Sequence, residues 1–379
     1  MKLLLTLLTL LLPLLSQAAG LSTKKAPSLA ATAYVLYDYT SNQTLLDKNA
    51  NKRIQPASLT KLMTAYVAFS AIKQGKLSLT QTITPSREAL RVSADESRMF
   101  LEARKAVSVE KLLHGLIIES GNDAARALAE TIAKDESTFA SQLMNKEALR
   151  LGMKNTHFVN ATGLPDDEHY SSAHDLALLA AALVRDFPEY YPIYSMREFR
   201  YNNIRQYNRN KLLWHDPYVD GMKTGHTQRA GFCLVASAKR DQHRLISVVL
   251  GTTSSRMRTR ESQRLLNYGF NQFELLQLYK KDQPVSSIRT WKGTEKTIAI
   301  GSRSNLYVTI PIKQRKLLKA VLETQQPILA PVSKGQVIGT LKLKLDGKPY
   351  LDLPLVALEN VALANVFSRG VDSIRLLFH

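Results

Sequence analysis

The pattern of hydrophobic and polar positions changes its period several times along this chain, and each change marks an element. It begins with a leucine-rich run over residues 3–15, behind Lys2 and ahead of the small residues of Ser16-Gln17-Ala18-Ala19. That run is shorter than the roughly 20 residues needed to span a bilayer. Pro13 also interrupts it, so residues 1–18 read as a secretory signal peptide cleaved after Ala18. Ala33–Asp38 then alternates as a strand, residues 39–42 are turn-like, and residues 43–47 return, which predicts an N-terminal hairpin. From 58 to 72 the apolar positions are nearly continuous with no Gly or Pro, the pattern of a helix buried on most sides.

Helical spacing dominates the middle, over residues 109–118, 123–133, 139–151 and 172–184. Residues 231–239 and 244–250 form a second predicted hairpin about Asp241-Gln242, and a helix is expected over 260–276. Strands at both ends with helices between them predict an α+β domain, one antiparallel sheet flanked by helices, over residues 28–278. The texture changes after Tyr279. Short strands at 296–300, 305–310, 317–323 and 337–345, punctuated by Gly and Pro, with Asp346-Gly347 as a tight primed turn, predict a small all-β domain over 280–362. In residues 364–379, Phe367, Val371, Ile374 and Phe378 recur at helical spacing among Arg369, Asp372, Ser373 and Arg375, so an amphipathic, membrane-associating helix is expected.

Composition narrows the partners. A chain of 379 residues, 45% hydrophobic and 22% charged, belongs to the folded soluble class. A net charge of +19 and a pI of about 9.8 favour polyanions. Export and the lack of a nucleic-acid motif exclude nucleic acid, leaving a membrane surface and the cell-wall polymer of a bacterium. Cys233 is the single cysteine, so no intrachain disulfide forms, and its apolar setting predicts a small buried hydrophobe.

Ser58-Leu59-Thr60-Lys61 places a hydroxyl at a helix start and an amine one turn on, within reach of each other. A lysine serves as base for a serine only when burial and neighbouring positive charge lower its pKa. The S-x-x-K pattern alone is weak evidence, since Ser22/Lys25, Ser70/Lys73 and Ser108/Lys111 share it, and Ser108 reads as an N-cap. Its company is specific: Ser120-Gly121-Asn122 and Lys223-Thr224-Gly225 each occur once and follow in order, the set found in penicillin-binding proteins and class A β-lactamases. The spacing of His157, His169 and His174 fits no zinc signature, so no metal or cofactor is expected. Glu119 reads as a solvated or capping residue.

On these motifs, and on Ile54-Gln55-Pro56-Ala57-Ser58, Phe158 to Leu164, Val219 to His226 and Leu265 to Phe270, the chain resembles the low-molecular-mass penicillin-binding proteins of the D-alanyl-D-alanine carboxypeptidase type. The resemblance implies the penicillin-binding-protein/β-lactamase-like transpeptidase fold, a β-rich second domain and a tail on the outer face of the inner membrane. It also implies attack of Ser58 on the carbonyl between two D-alanines of a peptidoglycan stem peptide, giving an acyl-enzyme that β-lactams would also form. Lys61 would take the Ser58 proton, Ser120 would pass a proton to the leaving amine, and Asn122 would hold Lys61 and the substrate. Lys223 would add positive potential, Thr224 would supply a hydroxyl for the substrate carboxylate, Gly225 would belong to the substrate-binding triplet, and the backbone N–H groups of Ser58 and His226 would form the oxyanion hole. Arg258 and Arg209 match positions associated with the substrate carboxylate.

Three rivals share parts of this set. A serine β-lactamase of class A needs an E-x-x-L-N segment, and Glu147-Ala148-Leu149-Arg150 comes nearest without the asparagine. A D,D-endopeptidase would use the same catalytic residues in a more open site. A non-catalytic muropeptide-binding scaffold would have no chemical need for Ser58, Lys61, Ser120, Asn122 and Lys223 together.

Overall fold

The computed structural model describes residues 26–378, so the expected leader and the final His379 of the tail lie outside the described residues. The central sheet is antiparallel, with strands in the order Gln43–Lys48, Ala33–Asp38, His243–Thr252, Gly231–Arg240 and Val219–Thr227. Ala33–Asp38 is buried at every position. Its two faces enter different cores. Ala33, Val35 and Tyr37 pack with the helices of residues 57–187, whereas Tyr34 and Leu36 pack with Leu265 and Leu266 of the Ser255–Gln272 helix. Period-2 alternation with both sides covered produces the α+β sandwich of helices on each sheet face.

The helix Lys61–Lys73 runs through the larger core, buried at each position from Lys61 to Phe69, as its nearly continuous apolar sequence requires. A 3-10 turn, Ala57–Thr60, precedes it. The expected helix over 260–276 is displaced: Ser254 caps it through the Met257 N–H at 3.1 Å, it spans Ser255–Gln272, and Phe273–Tyr279 is a strand. Phe273 to Tyr279 pairs with Leu306–Pro311, and this tertiary pairing overrides the local helical spacing. The sequence also gave no sign of the hairpin Glu198–Tyr201 with Ile204–Tyr207.

Beyond it lies a six-stranded sheet ordered Leu318–Thr324, Val337–Leu345, Lys348–Ala357, Thr297–Gly301, Pro284–Trp291 and Ile328–Leu329, around a core including Ile298, Ile300, Val308 and Leu355. Asp346 and Gly347 take φ of 52° and 73°, the left-handed pair of a primed turn. Thr309 of this region donates to the buried carboxylate of Asp38, which also receives His243 at 2.6 Å, so the two regions share a polar junction.

The tail helix is Val366–Leu376, started by the Asn365 side chain accepting the Ser368 N–H at 2.9 Å. Its apolar side does not dock: Phe367 is 82% exposed, Ile374 61% and Leu377 81%. Its polar side does, through Asp372, which accepts the Lys292 N–H at 2.7 Å. Among the described residues no helix is long and apolar enough to cross a membrane.

Candidate active site

Three chain segments bring the motif residues together. Ala57 takes a positive φ of 49° and the 3-10 turn follows, which brings Ser58 into a cleft shared with Asn122, Thr162 and His226. Ser120 is left-handed at φ 71°, ending a π-helical turn over Gly115–Glu119, and Asn122 opens the helix Asn122–Ala133. Gly121 between them has no room for a side chain, since a Cβ would lie 2.9 Å from the Met99 nitrogen. Lys223-Thr224-Gly225 lies on the edge strand of the sheet, and a Cβ on Gly225 would meet the Pro56 carbonyl oxygen at 2.9 Å. Only glycine allows that strand to pass so close to the turn carrying Ser58.

Lys61 Nζ lies 3.1 Å from Ser58 Oγ, and donates to Asn122 Oδ1 at 2.6 Å and to the Thr162 carbonyl at 2.7 Å. Lys223 Nζ donates to Ser120 Oγ at 2.8 Å. The residues expected from sequence therefore stand in two hydrogen-bonded sets, Ser58 with Lys61 and Asn122, and Ser120 with Lys223. Burial, with the positive charge of Arg209 next, pulls the Lys61 pKa down to about 7, against the opposing pull of Glu136, Glu96 and Asp123. Lys223 is also pushed well below the usual lysine range, first by burial and then by Lys61, Arg209 and Arg258. Two buried amines so placed disfavour each other's charge.

Thr224 is buried beside Lys223. His226 is exposed, with its ring stacked on Phe232 at 3.8 Å. Arg258 is 7% exposed and donates to the Gly225 carbonyl at 2.9 Å and the Cys233 carbonyl at 3.4 Å. Burial lowers its pKa to about 10, and no described carboxylate forms an ion pair with it. Arg209 instead pairs with the Glu119 carboxylate, so Glu119 is a counter-ion and not the solvated or capping residue expected from sequence. Arg209, Glu119 and Arg258 line one groove next to the amine pair. Cys233 is buried and its thiol pKa is pushed up to about 11, as its apolar setting predicted. Ser108 caps a helix, accepting the Lys111 N–H at 3.3 Å.

Two contributions carried no sequence signal of their own. The Thr162 carbonyl that receives Lys61 is a backbone group, presented by a loop in which Asn160 Oδ1 accepts the Gly163 N–H at 2.7 Å. Gly163 has φ +86°, and a Cβ there would lie 1.9 Å from the Ala57 carbonyl oxygen. Glu96 accepts the Asn122 side-chain amide and so fixes which end of that amide faces Lys61.

A helix-borne serine and lysine, a second serine and asparagine on a neighbouring turn, and a lysine on the adjoining edge strand define the active-site-serine D,D-peptidase class. The chain belongs to the D-alanyl-D-alanine carboxypeptidase family, whose model matches residues 21–254, and residues 273–363 match the C-terminal domain of penicillin-binding protein 5. It is 43% identical over 367 residues to the D-alanyl-D-alanine carboxypeptidase DacC of Escherichia coli (strain K12), covering 95% of this chain and 92% of the relative. Penicillin-binding protein 5 from Haemophilus influenzae, in crystal form, has a TM-score of 0.85 at 42% identity over 89% of this chain and 99% of its own. Penicillin-binding protein D2 from Listeria monocytogenes, solved in an ampicillin-bound form, has a TM-score of 0.58 at 31% identity over 64% of this chain and 98% of its own.

Proposed function

We propose that this protein is a serine-type D-Ala-D-Ala carboxypeptidase that removes the terminal D-alanine from peptidoglycan pentapeptides and is acylated by β-lactams. The observation that carries the reading is the Lys61 amine, buried, lowered in pKa to about 7 and 3.1 Å from Ser58 Oγ. Ser58 Oγ attacks the carbonyl carbon of the penultimate D-alanine while its proton passes to Lys61. The backbone N–H groups of Ser58 and His226 hold the oxyanion. Ser120, hydrogen-bonded to Lys223, passes its proton to the leaving amine and is reprotonated at the expense of the proton Lys61 took from Ser58, so that Lys61 is neutral again as the C–N bond breaks and free D-alanine departs. Water then hydrolyses the Ser58 ester and regenerates the hydroxyl. Asn122 positions Lys61 and the substrate amide. Thr224 and Gly225 line the substrate strand, and Arg258, a buried cation without a carboxylate partner among the described residues, receives the terminal carboxylate. Arg209 serves it only if it leaves Glu119.

The same reading divides the chain into a leader over 1–18, a catalytic domain over 28–278, a β domain over 280–362 and a tail over 364–379. It places the mature enzyme in the periplasm, peripherally attached to the outer face of the inner membrane. Exposure of Phe367 and Ile374 on this helix and of Leu377 just after it supports the attachment. A fluorescent penicillin tests the core of the reading: it should label the wild-type protein covalently, and Ser58→Ala should abolish labelling. Persistent labelling of Ser58→Ala would remove Ser58 as nucleophile. Mass spectrometry of muropeptides after incubation should show loss of one alanine from pentapeptides, whereas split dimers would indicate an endopeptidase.

A further inference from the structure

The mechanism above makes no use of His169, although it is 1% exposed and lies beside the nucleophile helix. Its two ring nitrogens have different neighbours. Nδ1 accepts the Val159 backbone N–H at 3.2 Å, and Nε2 lies 2.8 Å from Thr60 Oγ1. A backbone N–H can only donate, so Nδ1 is bare, Nε2 carries the proton, and the ring donates to Thr60. The Phe158 ring packs against the imidazole at 5.7 Å and holds its plane.

These two bonds join two of the segments that build the site. Thr60 belongs to the turn that carries Ser58 and leads into Lys61, and Val159 belongs to the segment that presents Thr162. The same segment is fastened to the helix again by Thr64 Oγ1, which donates to the Ala161 carbonyl at 2.6 Å. A neutral amine has two N–H donors and one lone pair. Asn122 Oδ1 at 2.6 Å and the Thr162 carbonyl at 2.7 Å take the two donors, which leaves the lone pair for the Ser58 hydroxyl at 3.1 Å. The position of the Thr162 carbonyl therefore decides where the lone pair of Lys61 points.

We propose that His169 is a positioning residue, a neutral bridge between Thr60 and Val159 that holds the Thr162 carbonyl on Lys61 and so aims the Lys61 lone pair at Ser58. This rests on the assignment of Lys61 as the base for Ser58. Burial pushes the imidazole pKa down to about 4, with Asp166 opposing and His157 assisting, so the ring keeps the bare Nδ1 the bridge needs. A charged ring would donate from both nitrogens and break the contact with Val159.

The test compares His169→Leu, which removes both bonds, with His169→Gln, which retains an amide donor of similar reach toward Thr60. Rapid-mixing kinetics with a fluorescent penicillin separate the non-covalent dissociation constant from the acylation rate constant. His169→Leu should lower the acylation rate constant by about tenfold, the equivalent of one lost hydrogen bond of about 1.4 kcal/mol. Its dissociation constant should stay at the wild-type value, and His169→Gln should recover most of the rate. Wild-type rates in the Leu variant, or equal losses in Leu and Gln, would overturn the proposal. If the Leu variant fails to fold, long-range 15N–1H spectra of the wild-type protein still decide the matter: the proposal requires Nε2 protonated and Nδ1 bare, and the opposite tautomer refutes it. Ser58→Ala, run in parallel, separates the two ideas. Labelling of Ser58→Ala sinks the nucleophile assignment, whereas a dead Ser58→Ala beside a fully active His169→Leu sinks only the bridge.

Discussion

Acylation of Ser58 should follow the titration of Lys61 and be half-maximal near pH 7. An ordinary lysine titrates at 10.5 and is about 0.03% neutral at pH 7, whereas Lys61, lowered to about 7, is about half neutral there. The difference of 10.5 − 7 = 3.5 units is a gain of about three orders of magnitude in competent base, or about 5 kcal/mol of differential interaction. The sign follows from which form is active. The folded pKa of a basic group is depressed, so the neutral form gains as pH rises through about 7 and is lost below it. Between pH 6 and 8 the neutral fraction should climb from about 9% to about 91%, and the acylation rate should climb about tenfold with it. Arg209 is the second cause of the depression, so Arg209→Gln should move the midpoint to higher pH. Glu119→Gln should move it lower, because Arg209 then loses its counter-charge. The assay is the second-order rate of labelling by a fluorescent penicillin across a pH series, at enzyme concentrations where trapping is first order. A flat rate across pH 5.5–8.5, or a midpoint above about 9, would show that Lys61 is not the base.

Three further outcomes depend on single contacts. Arg258→Ala should raise KM for a peptide ending in D-Ala-D-Ala by about 10- to 100-fold, as expected for a lost charged hydrogen bond of about 1.5–3 kcal/mol. A donor without that carboxylate should be affected far less, and equal losses would make Arg258 purely structural. Gly163→Ala should destabilise the protein by at least about 2 kcal/mol, because the backbone is left-handed and the Ala57 carbonyl blocks the new methyl. An unchanged urea midpoint would contradict that. Deleting residues 364–379 should move the protein from the membrane to the soluble fraction with turnover preserved, and unchanged fractionation would refute the anchor.

Much of this was legible in the sequence because the relevant signals are local. Ala33–Asp38 alternates, the helix behind Ser58 is apolar on nearly all sides, and three motifs of distinctive residue type follow in order. What escaped was set by tertiary partners. Phe273 to Tyr279 has helical spacing yet pairs with Leu306–Pro311. Glu119 had no visible partner until Arg209, ninety residues on, arrived beside it. The Thr162 carbonyl is invisible to any argument from residue type, since every residue carries a carbonyl. Its importance comes from Asn160 and Gly163, whose turn aims it at Lys61.

The acids around Lys61 oppose the fall in its pKa. Burial and Arg209 pull the amine down, and catalysis favours a base with a pKa near the working pH. Glu136, Glu96 and Asp123 oppose that descent, and none of them belongs to a catalytic motif. Each has a second task that holds it in place. Glu136 accepts the Ala161 N–H at 2.8 Å, Glu96 accepts the Asn122 amide, and Asp123 accepts the Met99 N–H at 2.9 Å. Arg126 lies 3.5 Å from Glu96 and 3.7 Å from Glu136, tempering their charge. The basicity of the proposed base is therefore a balance between a dry helix and a rim of carboxylates anchored to the loops that carry Ser120, Asn122 and Thr162. Changes in those loops should alter the pH dependence of acylation before they alter the position of Ser58.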